Sequence, residues 1–136
     1  MFKKMSVLVV LLLSVILLPV QAQDRFRVDC THYSIYNPNT KKWSDWEESY
    51  NTFVININNN KDIMHFRPNG NRVTYRNVSN VVEKGKTSEG KEYQIISLLD
   101  ENGDEFLFQL FNDIAIGIKF AFSTGVMIQF SNANYW

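Results

Sequence analysis

Few residues in this chain have the type and spacing to do chemistry. The densest aromatic feature is Lys41-Lys42-Trp43-Ser44-Asp45-Trp46-Glu47-Glu48-Ser49-Tyr50, with a further indole at the C-terminal Trp136. Trp43, Trp46 and Tyr50 stand at i, i+3 and i+7, so a helix would align them on one face, whereas an extended segment sends the two tryptophans to opposite sides. With Trp136 they are the candidate ligand-binding rim, a platform on which a glycan or small apolar ligand stacks, or against which a protein docks. The competing expectation is that they cap a barrel end, each burying its ring and bonding its N–H at the edge.

Asp100-Glu101-Asn102-Gly103-Asp104-Glu105 gathers four carboxylates at one turn. The spacing lacks the alternating ligands and the twelfth-position glutamate of a calcium loop, and a tight hairpin tip leaves too little backbone to wrap a cation. It reads as a solvated turn. No metal and no cofactor is expected. His32 and His65 are the two imidazoles and Cys30 the single thiol. A lone thiol excludes a disulfide framework and a multi-cysteine metal site. Cys30 and His32, two apart on a strand, run parallel rather than meeting as nucleophile and base, and no catalytic residue is assigned. The six glycines are scattered and form no phosphate loop.

The elements that position these residues are strands. Period-two alternation recurs, and no helical period is sustained after the first 22 residues. Strands are expected at 25–36, 50–58, 62–67, 72–78, 92–100, 105–111, 114–122 and about 126–130. Turns at Asn37–Thr40, Asn58–Lys61, Asn69-Gly70 (as type I′), Asn102-Gly103 and Asn112-Asp113 connect them, with a polar loop over 84–90. The expectation is a single-domain, all-β antiparallel meander of about eight strands. With no helix to cover a sheet, it closes into a small barrel-like (lipocalin-like) or flattened barrel. Its inward set is Phe26, Val28, Phe53, Ile55, Ile57, Val73, Tyr75, Ile116, Ile118, Phe120, Ile128 and Phe130, bulky enough to fill a narrow barrel and to leave function to the surface. The hairpin from Tyr93 to Phe111 is apolar on both faces, which implies cover on both. Ile96, Leu98, Leu107 and Phe111 are its candidate interaction surface.

Met1 to Ala22 has the build of a secretory signal peptide: Lys3-Lys4, an apolar run too short to span a bilayer, Pro19, and Val20-Gln21-Ala22 before the cut. Cleavage is expected between Ala22 and Gln23. Residues 23–136 then form the domain, secreted or periplasmic, with no membrane association after cleavage. Losing Lys3 and Lys4 leaves 12 basic against 14 acidic residues, a net charge of −2. That balance offers no footprint for nucleic acid. Among 136 residues, 45% are hydrophobic, which excludes a disordered chain.

The lysine-started signal, Trp43-Ser44-Asp45-Trp46, Phe53-Val54-Ile55-Asn56-Ile57-Asn58, Asp62-Ile63, the Asp100 to Gly103 hairpin and Met127-Ile128-Gln129-Phe130-Ser131-Asn132 together resemble a group of small secreted all-β proteins of Gram-negative bacteria. The resemblance implies a secreted single β domain and carries no site residue. The sequence thus points to a non-catalytic binding protein with an aromatic rim. The alternative is a protein-interaction or inhibitor module working through the Tyr93–Phe111 hairpin, with a homo-oligomer as one form.

Overall fold

The computed structural model describes residues 26–56 and 62–136. The expected signal peptide and its cleavage point, Ile57 and the turn expected at Asn58–Lys61 lie outside them. The described strands are β1 (Phe26–Asn37), β2 (Lys42–Trp43), β3 (Glu47–Ile55), β4 (Ile63–Phe66), β5 (Arg72–Asn77), β6 (Glu83–Lys86), β7 (Glu92–Leu99), β8 (Glu105–Phe111), β9 (Ile118–Phe122) and β10 (Met127–Ser131). A single 3-10 turn, Ala133–Tyr135, follows β10.

The sheet runs β10-β9-β8-β7-β5-β4-β3-β1, and β10 pairs back onto β1. Every junction is antiparallel, so the chain is a closed eight-stranded barrel. Closure removes the free edges an open meander would expose. Two short strands stand outside the ring order: β2 extends the sheet beyond β1, and β6 pairs with the first half of β7. β6 overlaps the polar loop expected over 84–90, and β2 falls in the aromatic segment Lys41–Tyr50, where no strand is expected. Each is too short or too polar (Glu83-Lys84-Gly85-Lys86) to show an apolar alternation.

Four tight turns share one design. At residues 67–71, 87–91, 100–104 and 122–126 the first residue donates its backbone N–H to the carbonyl of the fifth and accepts from the N–H of the fourth, a glycine of positive φ, while the N–H of the fifth bonds a side-chain oxygen within the turn. Asn69 and Asn102 keep negative φ, so these are type I turns closed by a glycine bulge rather than the type I′ turns expected from Asn-Gly.

That five-residue turn fixes the faces of the apolar hairpin. It sets Leu99 opposite Glu105, hence Leu98 opposite Phe106 and Ile96 opposite Phe108. Ile96 and Leu98 therefore point into the barrel, 1% and 0% exposed. Phe111 lies outside but is covered by Tyr93 and by Lys119, whose Nζ sits 5.3 Å from its ring. Of the four residues expected to form an interaction surface, Leu107 alone is open to solvent. Ile96, Leu98, Leu107 and Phe111 do not form one patch.

A second departure concerns β9, which starts at Ile118 rather than 114. Asp113 to Gly117 turn instead, with Ile116 and Gly117 N–H groups both bonding the Asp113 carbonyl. Ile114 is left exposed and Ile116 partly so. Phe26, at the open end of β1, is 44% exposed and is not core.

The core itself is Cys30, Phe53, Ile55, Ile63, Val73, Tyr75, Ile96, Leu98, Phe106, Phe108, Leu110, Ile118, Phe120 and Phe130, with Val28 and Ile128 packed against it. Outward positions are mixed, including Thr52, Thr74, Arg76, Ser97, Gln109, Lys119 and Gln129. A register shift between Cys30 and His32 bulges β1. The extra residue reverses the phase: Cys30 points in, and beyond the bulge Tyr33 takes the inner face while His32 turns out. Cys30 and His32 therefore do not share a face, contrary to simple alternation. The C-terminus locks the bulge, since Asn132 Nδ2 donates to the Asp29 carbonyl and Thr31 Oγ1 accepts from Ala133 N–H, both at 2.9 Å.

Candidate functional site

Asn51 in β3, His65 in β4 and Tyr75 in β5 are polar residues that face inward from three adjacent strands. Phe53 pairs with His65 and His65 with Val73, so Asn51 and Tyr75 are the diagonal neighbours of the imidazole on its two sides. The side chains meet in one chain of hydrogen bonds. Asn51 Oδ1 lies 2.8 Å from His65 Nε2, and Tyr75 Oη lies 2.7 Å from His65 Nδ1. Asn51 Nδ2 donates to the Ser49 carbonyl and hydroxyl, which leaves Oδ1 as the acceptor. His65 therefore carries its proton on Nε2, and Tyr75 donates its hydroxyl proton to Nδ1.

Packing reinforces this polarity. The imidazole stacks on Phe53 at 4.3 Å and 20° and meets Phe130 and Phe120 edge-on. Burial, aided by the Arg67 charge, lowers the His65 pKa from 6.5 to about 4. Burial likewise raises the Tyr75 hydroxyl above its ordinary value, with Arg67 opposing. Both rings are thus neutral at physiological pH.

This trio forms one wall of a cavity of about 350 Å³ at the barrel end that carries the 67–71, 100–104 and 122–126 turns. Aromatic and aliphatic side chains line most of it: Tyr33, Phe106, Phe120, Phe122, Ile128 and Phe130. Ser49, Arg67 and Asp100 supply the remaining polar groups. The barrel interior, expected to be filled, is therefore packed at its waist and open at one mouth. A second cavity, of about 440 Å³, lies between Phe26, Leu110, Ile114 and Tyr135. Its one buried polar side chain, Asn132, is already bonded to the Asp29 carbonyl.

The neutral imidazole gives a pH signature with a definite sign. The unfolded chain takes up a proton near pH 6.5, the folded chain near 4, so the unfolded state binds more protons between those values. Stability is full above pH 6.5 and falls as pH drops through the window. The loss should be about 2 kcal/mol, allowing for water reaching the cavity wall. Urea unfolding at pH 7.5 and 4.5 measures it, and His65→Gln should lose this part of the slope while keeping the background from carboxylates.

The expected rim divides. Trp46 and Trp136 come together, ring centroids 5.2 Å apart, with Trp136 also on His32 at 5.1 Å. Trp136 Nε1 donates to Ser131 Oγ at 2.7 Å. Trp43 lies elsewhere, against Tyr36 and beneath Lys119 Nζ. Tyr50 is 61% exposed with its hydroxyl on Glu48. None of the four lines the mouth cavity. The acidic hairpin behaves as a turn: Asp100 Oδ1 accepts from Asn102 and Asp104 N–H groups, each at 2.9 Å. Among the described residues, no group of three or more His, Cys, Asp or Glu side chains is placed to hold a metal ion.

The mouth residues were legible in part. His65 follows Ile63, Tyr75 follows Val73 and Asn51 precedes Phe53 at period two, which marks each as inward. That they converge depends on strand register, which alternation alone does not reveal. No family model, curated protein or solved structure matches this chain.

Proposed function

We propose that this protein is an exported, non-catalytic binding protein that takes a small apolar ligand into the mouth of its barrel. The single observation that carries this reading is the aromatic-walled cavity of about 350 Å³ with His65, Asn51 and Tyr75 converging on one wall. Ligand sites are characteristically concave, mostly apolar and fitted with a few convergent polar groups, and this volume lies at the small end of their range. The barrel is apolar inside and mixed outside, the reverse of a membrane channel, which suits a chain working in water. The signal-like first 22 residues supply the argument for export. Binding is favoured over catalysis because the imidazole spends both nitrogens on internal partners and presents no free base to a substrate.

N-phenyl-1-naphthylamine, a neutral fluorophore that brightens in apolar surroundings, tests the cavity. The wild-type protein should bind it saturably with one site and micromolar affinity. Ile128→Trp, which places an indole at the partly exposed mouth wall, should weaken binding about tenfold or more while leaving the unfolding curve intact. Equal binding by both proteins would remove the mouth as the site.

A second reading keeps the outer Trp46–Trp136 pair as a glycan platform, favoured by two indoles that are 41% and 58% exposed and in mutual contact. Oligosaccharide-induced change in tryptophan emission, lost in Trp46→Ala, would support it.

A further inference from the structure

The charges around the mouth carry the reading one step further, and this step rests on the binding function just proposed. We propose that the mouth cavity selects a ligand with an apolar, planar body and a single carboxylate, the carboxylate meeting Arg67.

The donors and acceptors of the cavity are unequally available. His65 has both nitrogens occupied, and the Tyr75 hydroxyl proton is committed to His65. Asn51 spends its amide on Ser49 and its oxygen on His65. Asp100 spends Oδ1 on two backbone N–H groups of its own turn, which offsets part of its charge. The Tyr33 hydroxyl donates to Glu47. Arg67 differs. It lines the cavity, reaches the Tyr75 hydroxyl, and forms no salt bridge among the described residues. A guanidinium has five N–H donors in a planar fork, so most remain to be used, and a carboxylate is the group that fork fits.

Asp100 and Glu101 also act on Tyr75, in the direction that disfavours an anion, but Arg67 acts on it more strongly. At His65 Arg67 is the charge that registers. Arg67 is thus the strongest single charge acting on Tyr75, opposed by Asp100, which also lines the cavity, and by Glu101. Phe106, Phe120, Phe122 and Phe130 line the same cavity as the guanidinium and suit a flat apolar body.

Three probes of one shape test the head group at pH 7.5 by calorimetry: 2-naphthoate, 2-naphthamide and 2-naphthylmethylammonium. The expected order is naphthoate tightest, by about tenfold over the amide, a gain in keeping with one charge-assisted pair at a half-open site. Arg67→Gln should close the gap between naphthoate and the amide; Arg67 is exposed, so the variant should fold. Asp100→Asn, which keeps an oxygen for the turn amides, should tighten naphthoate a few-fold. Raising the salt concentration should narrow the gap between naphthoate and amide. Equal binding of naphthoate and amide, or tighter binding of the ammonium, would overturn the carboxylate while leaving the cavity as the site. Failure of all three probes, with N-phenyl-1-naphthylamine also unbound, would overturn both readings.

Discussion

Phe53→Ala should cost about 4 kcal/mol of stability, among the largest effects any single truncation in this protein can have. Phe53 is fully buried at the centre of β3. Its ring stacks on His65 and meets Phe108, Phe120 and Phe130 at centroid distances of 6.2, 5.8 and 5.1 Å. Truncation removes apolar contact and leaves a cavity between strands that are hydrogen-bonded around a closed ring, so the wall has little freedom to collapse inward. It also removes the face on which the imidazole rests. The variant should therefore show a lower urea midpoint at unchanged slope, and it should admit water beside His65, raising that group's pKa from about 4 toward its ordinary value. A loss below about 1 kcal/mol would mean that the barrel waist is loosely packed.

Gly117→Ala should be comparably damaging for a different reason. Gly117 has φ +81, and a Cβ built on it would stand 2.0 Å from the Phe130 carbonyl oxygen. Any L residue there meets both the cost of a left-handed backbone, about 1 kcal/mol, and a collision with backbone that belongs to the β9–β10 ladder. Gly103 has nearly the same φ but nothing within 4 Å of its virtual Cβ. Gly103→Ala should thus cost only the conformational part, about 1 kcal/mol, against about 3 kcal/mol or more for Gly117→Ala. Thermal melts of the two variants side by side separate strain from collision. Equal losses would show that β10 moves aside freely.

The same glycine explains where reading the sequence stops. Ile114, Ile116, Ile118, Phe120 and Phe122 keep a perfect alternation, which argues for one long strand. The chain nevertheless breaks after Ile116, because Gly117 permits a turn that passes beneath Phe130, and no local pattern reports that approach. The strands themselves were readable: β3, β4, β5, β7 and β8 lie within a few residues of where alternation puts them, and the closed antiparallel barrel follows from the meander. What alternation could not decide is which face of an all-apolar strand is inner. Ile96 and Leu98 needed the length of the 100–104 turn to be placed, and a type I turn with a glycine bulge was not distinguishable from type I′ by Asn-Gly alone. The bulge at Thr31 is silent for the same reason, since it depends on how Asn132 and Ala133 grip β1 from more than a hundred residues away. The candidate site shows the limit most clearly. Asn51, His65 and Tyr75 are each marked as inward by their neighbours, yet their hydrogen-bonded line is a property of register. The conspicuous tryptophans, by contrast, lie on the outer wall.

The proposed function rests on ligand binding at the barrel mouth. The most direct measurement is a map of ¹H–¹⁵N chemical shifts during titration with N-phenyl-1-naphthylamine, with the His65 ring nitrogens followed in the same samples. Binding at the mouth should concentrate shifts at Ser49, Arg67, Phe122 and Ile128, with a His65 ring that stays in its neutral Nε2–H form at pH 7 but changes resonance as the cavity fills. Shifts confined to Trp46 and Trp136 with His65 unmoved, or a His65 ring that titrates near pH 6.5, would contradict it.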